Sequence, residues 1–351
     1  SMSKKANASG GERTYWGVIP VMPGQQLMDT ARQMEALGYA GCFSYQVFGP
    51  PFIPNAVAAA ATTRMQVASG IAIAGVRSPF ETAMAAIDVD RISEGRFILG
   101  LGSSAPSWTQ DIFGAGDFKP IAQLKDTVAA TRHIIAGAHK GLEPYEGEYF
   151  KASFKELKPT DPPLRTTIPI WIAALREKLL RAGVEIGDGV IGHPMWSSSW
   201  AVNEMGPVIA DALASSGKQR SDIEVNIWPW MAINDDRKQA VEDARGTVAF
   251  YASVGVYESF FEAHDFGKEA RACQGEIEQG VDVEALKKHV PDEMVETFAA
   301  CGPMDEVTEK IEPYWEIADS ICPTPPIWGL PAESVNAYAE ALAGFVHSQV
   351  N

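Results

Sequence analysis

Apolar positions along this chain fall into two alternating textures. Short runs that are apolar throughout, such as Phe97-Ile98-Leu99-Gly100-Leu101, suit strands buried on both faces of a parallel sheet. Longer segments place apolar residues three or four apart, as in Leu27, Ala31, Met34 and Leu37, which is one face of a helix. Strands are expected over 14–21, 40–46, 65–74, 97–101, 168–174, 189–193, 224–233 and 320–322. Helices are expected over 25–37, 54–61, 79–93, 121–136, 175–184, 202–215, 302–317 and 331–346. Gly38 and Gly95 stand where helices should stop, because glycine adopts the left-handed conformation a helix end wants. Pro229 implies a bulge or break within the seventh strand. Strand and helix alternating eight times predict an α/β fold, a (β/α)8 TIM barrel.

Two stretches depart from that rhythm. EPYEGEYFKASF (143–154) sets aromatics around a glycine and predicts a small hairpin inserted before strand five. From about 238 to 300 several helical segments stand where one would do, so a helical insertion is expected after strand seven. No internal repeat is visible. Residues 14–351 are expected to form a single barrel domain, and 1–13 a disordered start, with Ser1-Met2 read as an expression scar.

Composition narrows the class. The 351 residues are 46% hydrophobic, enough for a large core, and carry 29 basic against 45 acidic side chains. A net charge of −16 argues against nucleic-acid binding, which needs a basic footprint. No apolar run approaches the ~20 residues of a membrane helix, and the polar start lacks a signal-peptide core. Cys42, Cys273, Cys301 and Cys322 show no paired spacing, so neither disulfides nor a metal site is expected and a reducing cytoplasm fits. Cys42 and Cys301 read as small apolar fillers.

Barrel enzymes carry their chemistry at the C-terminal ends of the strands. Those ends here are Ile19-Pro20, Tyr45-Gln46, Gly70-Ile71-Ala72, Gly102-Ser103-Ser104, Ala173-Ala174-Leu175-Arg176, His193, Trp228-Trp230 and 324–328. They hold no carboxylate cluster, no cysteine–histidine pair and no HExxH, and His193 is their one histidine. Such a set favours a planar organic cofactor that brings its own reactivity. Each position also has a plainer reading: Gly70 as a barrel bend, Gly102-Ser103-Ser104 as an ordinary turn, His193 as a structural cap. Trp196, Trp228 and Trp230 are core or the walls of an apolar substrate pocket.

The stretch 90–104, DRISEGRFILGLGSS, resembles the region around the fourth strand of the luciferase-like flavin and deazaflavin oxidoreductases, a family of (β/α)8 barrels. The resemblance extends from 15 to about 346 and is strongest to the branch that uses coenzyme F420. It implies a non-prolyl cis peptide at Gly70-Ile71, forming a bulge that backs the cofactor ring, with Ile19, Tyr45, Ser69, Ala72 and His193 nearby. It implies that Gly102, Ser103 and Ser104 meet the cofactor's polar chain. Ala173, Ala174, Leu175 and Arg176 would meet its phosphate at a helix start.

One departure is informative. Where alcohol and sugar-phosphate dehydrogenase relatives carry an Asp-His pair, this chain has Tyr45-Gln46, and Gln46 cannot act as a base near neutral pH. A glutamate of the sugar-phosphate enzymes is Ala105 here. Alcohol oxidation by that route is therefore not expected. Gln46, Tyr45 and His193 are the candidate catalytic residues, and Gln46 also orients a substrate or a ring carbonyl.

The expected activity is F420-dependent hydride transfer to a small apolar organic molecule, by a homodimer. Two alternatives stay open. One is a reduced-FMN monooxygenase fed by a separate flavin reductase, and the other is a cofactor-binding protein without turnover.

Overall fold

A computed structural model of the protein describes residues 4–280 and 282–351. Among the described residues there are thirteen strands: β1 (Thr14–Val18), β2 (Gly41–Ser44), β3 (Gln66–Ser69), β4 (Ala72–Ile73), β5 (Phe97–Gly102), β6 (Tyr145–Glu146), β7 (Lys151–Ala152), β8 (Ile170–Ala174), β9 (Gly189–Gly192), β10 (Glu224–Ile227), β11 (Trp230–Ile233), β12 (Ala299–Gly302) and β13 (Ser320–Ile321). The main sheet has the order β3-β2-β1-β13-β10-β9-β8-β5-β4, and β3 also pairs with β5. That second pairing closes the sheet, with β3 and β4 sharing one of eight positions, into the expected (β/α)8 barrel.

The chain forms two compact units. One comprises Trp16–Ile191 and Val208–Val225, and the other Ser1–Tyr15, Gly192–Pro207 and Asn226–Asn351. In the first, parallel ladders run β1/β2, β2/β3, β3/β5 and β5/β8. Their registers are held by close packing. Trp16, Phe43 and Trp171 lie with ring centroids 4.5, 5.2 and 6.2 Å apart. Gly41 makes room for Trp16, since a Cβ there would sit 2.5 Å from the indole. The helix Pro79–Ile92 is tied to β5 through the buried Asp90, whose carboxylate accepts from Nε (3.1 Å) and Nη2 (2.5 Å) of Arg165. Arg165 Nη2 also donates to the Phe97 carbonyl at 2.7 Å. The hairpin β6–β7 is present as expected. Its turn is held by Asp126, which accepts from the N–H groups of Tyr149 (2.9 Å) and Phe150 (2.7 Å) and from the Tyr145 hydroxyl (2.9 Å).

The second unit bears out two expectations and corrects one. The run 224–233 breaks at Pro229, as expected, into β10 and β11. β11 then leaves the barrel and pairs with β12, a strand that the small residues AACG do not announce. The insertion begins with Arg237–Ala252, continues through Glu258–Ala263, Gly267–Ile277 and Val283–Leu286, and ends with Asp292–Phe298.

The chain start was expected to be disordered, yet residues 4–13 are ordered. Ala6 and Glu12 form an antiparallel bridge, and Ala8 N–H donates to the Ala318 carbonyl at 3.0 Å. Arg13 pairs with both oxygens of Glu312 at 2.9 and 2.8 Å. Backbone bonds and a two-pronged ion pair outweigh the polar composition of the segment.

Candidate functional site

At the strand ends of the first unit, the expected long strand over 65–74 is interrupted. β3 stops at Ser69, β4 begins at Ala72, and the Gly70-Ile71 peptide between them is cis, as expected. Gly70 is needed on packing grounds alone, since a Cβ would lie 2.5 Å from the Phe43 ring. Gln46 bridges this interruption. Its backbone N–H donates to the Ile71 carbonyl at 3.2 Å, and its side-chain oxygen accepts from Ile73 N–H at 2.9 Å. The same oxygen accepts from Arg77 Nη2 at 2.9 Å. Gln46 thus supplies, with its side chain, a rung the strand lacks.

Ile71 is partly exposed and lies over Gly102, where a Cβ would come 2.8 Å from its Cδ1. Ser103, Ser104, Ala173 and Leu175 are partly exposed beyond it, and Tyr45 and Arg176 are exposed. The helix Glu177–Ile186 starts after Arg176, with the acid Glu177 in its first turn.

Four expected contact residues are buried: Ile19, Ser69, Ala72 and Ala174, the last at 3% exposure. Ile19 is wholly buried and packs with Leu27, Ala31 and Met34, since the first strand ends at Val18 and turns inward. Ser69 is wholly buried, and its hydroxyl donates to the Gly100 carbonyl (2.8 Å) while accepting from Gly100 N–H (2.9 Å). It staples β3 to β5 and presents nothing outward. Ala72 is likewise part of the core.

In the second unit, His193 follows β9 and is partly buried. Met195 N–H donates to its Nδ1 at 3.0 Å, so the ring hydrogen resides on Nε2, 3.4 Å from the Tyr257 hydroxyl. Tyr257 and Tyr251 flank the ring with centroids 5.2 and 6.0 Å away, and Trp230 packs on Tyr251 at 4.7 Å. Desolvation pushes the His193 pKa down to about 3, which keeps the ring neutral. Trp228 is partly exposed. Trp196 is fully buried and Trp230 is 4% exposed, so both are core where pocket walls had been one reading. Trp196 is large enough to fill the space above Gly192, where a Cβ would be 2.6 Å from its ring.

Sequence reasoning missed two residues near Gln46, Arg77 and Trp108, and one beside His193, Tyr257. Arg77 sits four positions beyond β4, in a turn that only Gly75 and Pro79 foreshadow. Trp108 donates its indole N–H to the Val47 carbonyl at 2.8 Å and stacks on Phe48, with centroids 5.3 Å apart. Tyr257 comes from the insertion, where nothing in the sequence ties it to His193. Among the described residues no three His, Cys, Asp or Glu side chains gather as a metal site, and no helix is long and apolar enough to cross a membrane.

Residues 5–320 match the family model described as luciferase-like monooxygenase. A 5,10-methylenetetrahydromethanopterin reductase of Archaeoglobus fulgidus is 31% identical over 241 residues, covering 67% of this chain and 68% of that one. A Mycobacterium tuberculosis protein, to which the name coenzyme F420-dependent oxidoreductase is provisionally attached, is 28% identical over 321 residues, 87% of this chain and 90% of its own. Among solved structures, the coenzyme F420-dependent tetrahydromethanopterin reductase of Methanopyrus kandleri matches with a TM-score of 0.80 at 20% identity, over 97% of this chain and all of that one, a likeness of fold. Together with the closed barrel, these matches make the chain a member of the luciferase-like monooxygenase family, a family of oxidoreductases.

Proposed function

We propose that this protein uses coenzyme F420 to transfer a hydride to a small organic substrate with an apolar body, acting as a reductase. The observation that carries the reading is the character of the strand ends in the first unit. They offer apolar surface from Ile71, hydroxyls from Ser103 and Ser104, and the amide of Gln46, with no acid or base where alcohol-oxidising relatives place one. Such a surface suits a cofactor that supplies the reactive atom itself. The M. tuberculosis relative's name points to the same cofactor.

The residues fit the group. Ile71 braced over Gly102 would support one face of a tricyclic ring, and a side chain at 102 would push that support out of place. Ser103 and Ser104 would hold the polar chain, and Arg176 with the backbone at the start of Glu177–Ile186 would receive a phosphate. Glu177, in the same turn, weakens that last contact. When bound, the deazaflavin supplies a hydride from its ring carbon. The protein binds and orients ring and substrate. Gln46 moves no proton, because a carboxamide has none to give near neutral pH.

The family description itself favours a second reading, a monooxygenase working with reduced FMN and a partner flavin reductase. A side-by-side fluorescence titration separates them. F420 should bind at least tenfold more tightly than FMN, about 1.4 kcal/mol. Tighter FMN binding would overturn the F420 assignment. A homodimer in the cytoplasm belongs to the same proposal.

A further inference from the structure

Two partly buried arginines of the first unit have no carboxylate partner among the described residues, and they differ in what they do with their hydrogens. A guanidinium has five N–H donors. Arg96 uses all of them: Nε to Ser93 O, Nη1 to Thr62 Oγ1 and Met65 O, Nη2 to Ala59 O and Thr62 O, at 2.7–3.0 Å. That arginine is a structural hub. Arg77 uses two, Nη1 to the Ile73 carbonyl at 3.2 Å and Nη2 to Gln46 Oε1 at 2.9 Å. Its guanidinium also lies 5.2 Å from the centre of the Phe52 ring, which holds it in place by cation–π attraction. Burial lowers its pKa, and Glu81, in the first turn of the next helix, offsets this only through space. The charge is thus incompletely compensated.

Gln46 completes the arrangement. Both Ile73 N–H and Arg77 Nη2 donate to one end of its carboxamide, which fixes that end as oxygen. A flipped amide would set NH2 against two donors. The NH2 group therefore points to the other side, as a donor. Arg77 and Gln46 are both partly exposed, and Gln46 meets Ile71 through its backbone. Directly after Gln46, the Val47 carbonyl anchors Trp108, whose ring stacks on the exposed Phe48.

We propose that Arg77 and the Gln46 amide form a receptor for a substrate carboxylate, with Trp108 and Phe48 beside it for an apolar or aromatic body. Donors alone, one of them charged, suit an anion, and the planar guanidinium matches a planar carboxylate. In a chain of net charge −16, long-range attraction opposes anions, so selectivity must come from this local pair. The assignment names the substrate class for the site proposed above and rests on that reading for its place in catalysis.

Binding of 4-fluorobenzoate and of the neutral 4-fluorobenzamide to the whole protein, followed by fluorine NMR, tests it without cofactor. The benzoate should bind at least tenfold more tightly. Arg77→Met should abolish that preference and Arg77→Lys should keep part of it. Gln46→Glu retains an oxygen for Ile73 N–H and Arg77, so it should fold, yet lose benzoate at least tenfold. Melting temperatures identify any variant that does not fold, and Gln46→Glu decides the matter if Arg77→Met is one. Equal affinity for the two probes in the wild type, or an unchanged preference in Arg77→Met or Gln46→Glu, would overturn the proposal. Inorganic phosphate should compete poorly, and displacement as strong as the benzoate's own binding would reassign the pair to a phosphate. F420 binding without any benzoate preference would remove only this inference. The preference without F420 binding would remove only the cofactor.

Discussion

Single residues here owe their chemistry to neighbours that the chain brings from afar. His193 is the clearest case. Its Nδ1 is held as an acceptor by Met195 N–H and its pKa is pushed down to about 3 by burial. The unfolded histidine titrates near 6.5, so between that pH and 3 the unfolded state binds the extra proton. His193 therefore contributes stability above about pH 6.5 that is lost as pH falls toward 3. Denaturant midpoints should drop between pH 7 and 5 in the wild type, and His193→Gln should remove part of that drop. A parallel slope in both proteins would show that His193 is not the titrating group. The same reasoning leaves no histidine ionisation from this residue in a pH–rate profile near neutrality.

At the scale of elements, small residues decide how closely strands approach. A Cβ on Gly100 would lie 1.8 Å from the Ser69 carbonyl oxygen, and a backbone carbonyl cannot swing away as a side chain can. Gly100→Ala should cost about 3 kcal/mol, the upper part of the range for overpacking, and lower the melting temperature accordingly. A change within 0.5 kcal/mol would mean that β3 and β5 can separate at that point. Strands such as β5 were legible because an apolar run flanked by Gly95 and the small turn after Leu101 admits little else. Helix ends were legible where glycine takes a left-handed conformation, as Gly38 does at φ 104°. β11 and β12 were not, since an apolar run does not say which sheet it joins, and AACG carries no strand signal. Within the site, Tyr45, Gln46, Ile71 and Gly102 could be read from strand ends alone. Ile19 and Ser69 sit at strand ends too, but periodicity cannot tell a side chain pointing into the core from one at the mouth. Arg77 and Tyr257 lie outside strands, where no spacing rule reaches.

For the molecule as a whole, two compact units carry the fold, and the cysteines are divided unequally between them. Cys42 belongs to the first unit, and Cys273, Cys301 and Cys322 to the second. All four are buried, and burial pushes the thiols of Cys42 and Cys301 up to about 12 and that of Cys273 to about 11. Since the thiolate is the reactive form, the native protein should give no colour with a disulfide reagent at pH 8. Partial denaturation turns that silence into a count. One equivalent released ahead of three would mean the first unit opens before the second, and three ahead of one the reverse. Four appearing together would mean a single cooperative transition. The placement of its cysteines makes the protein its own stoichiometric reporter of the order in which it comes apart.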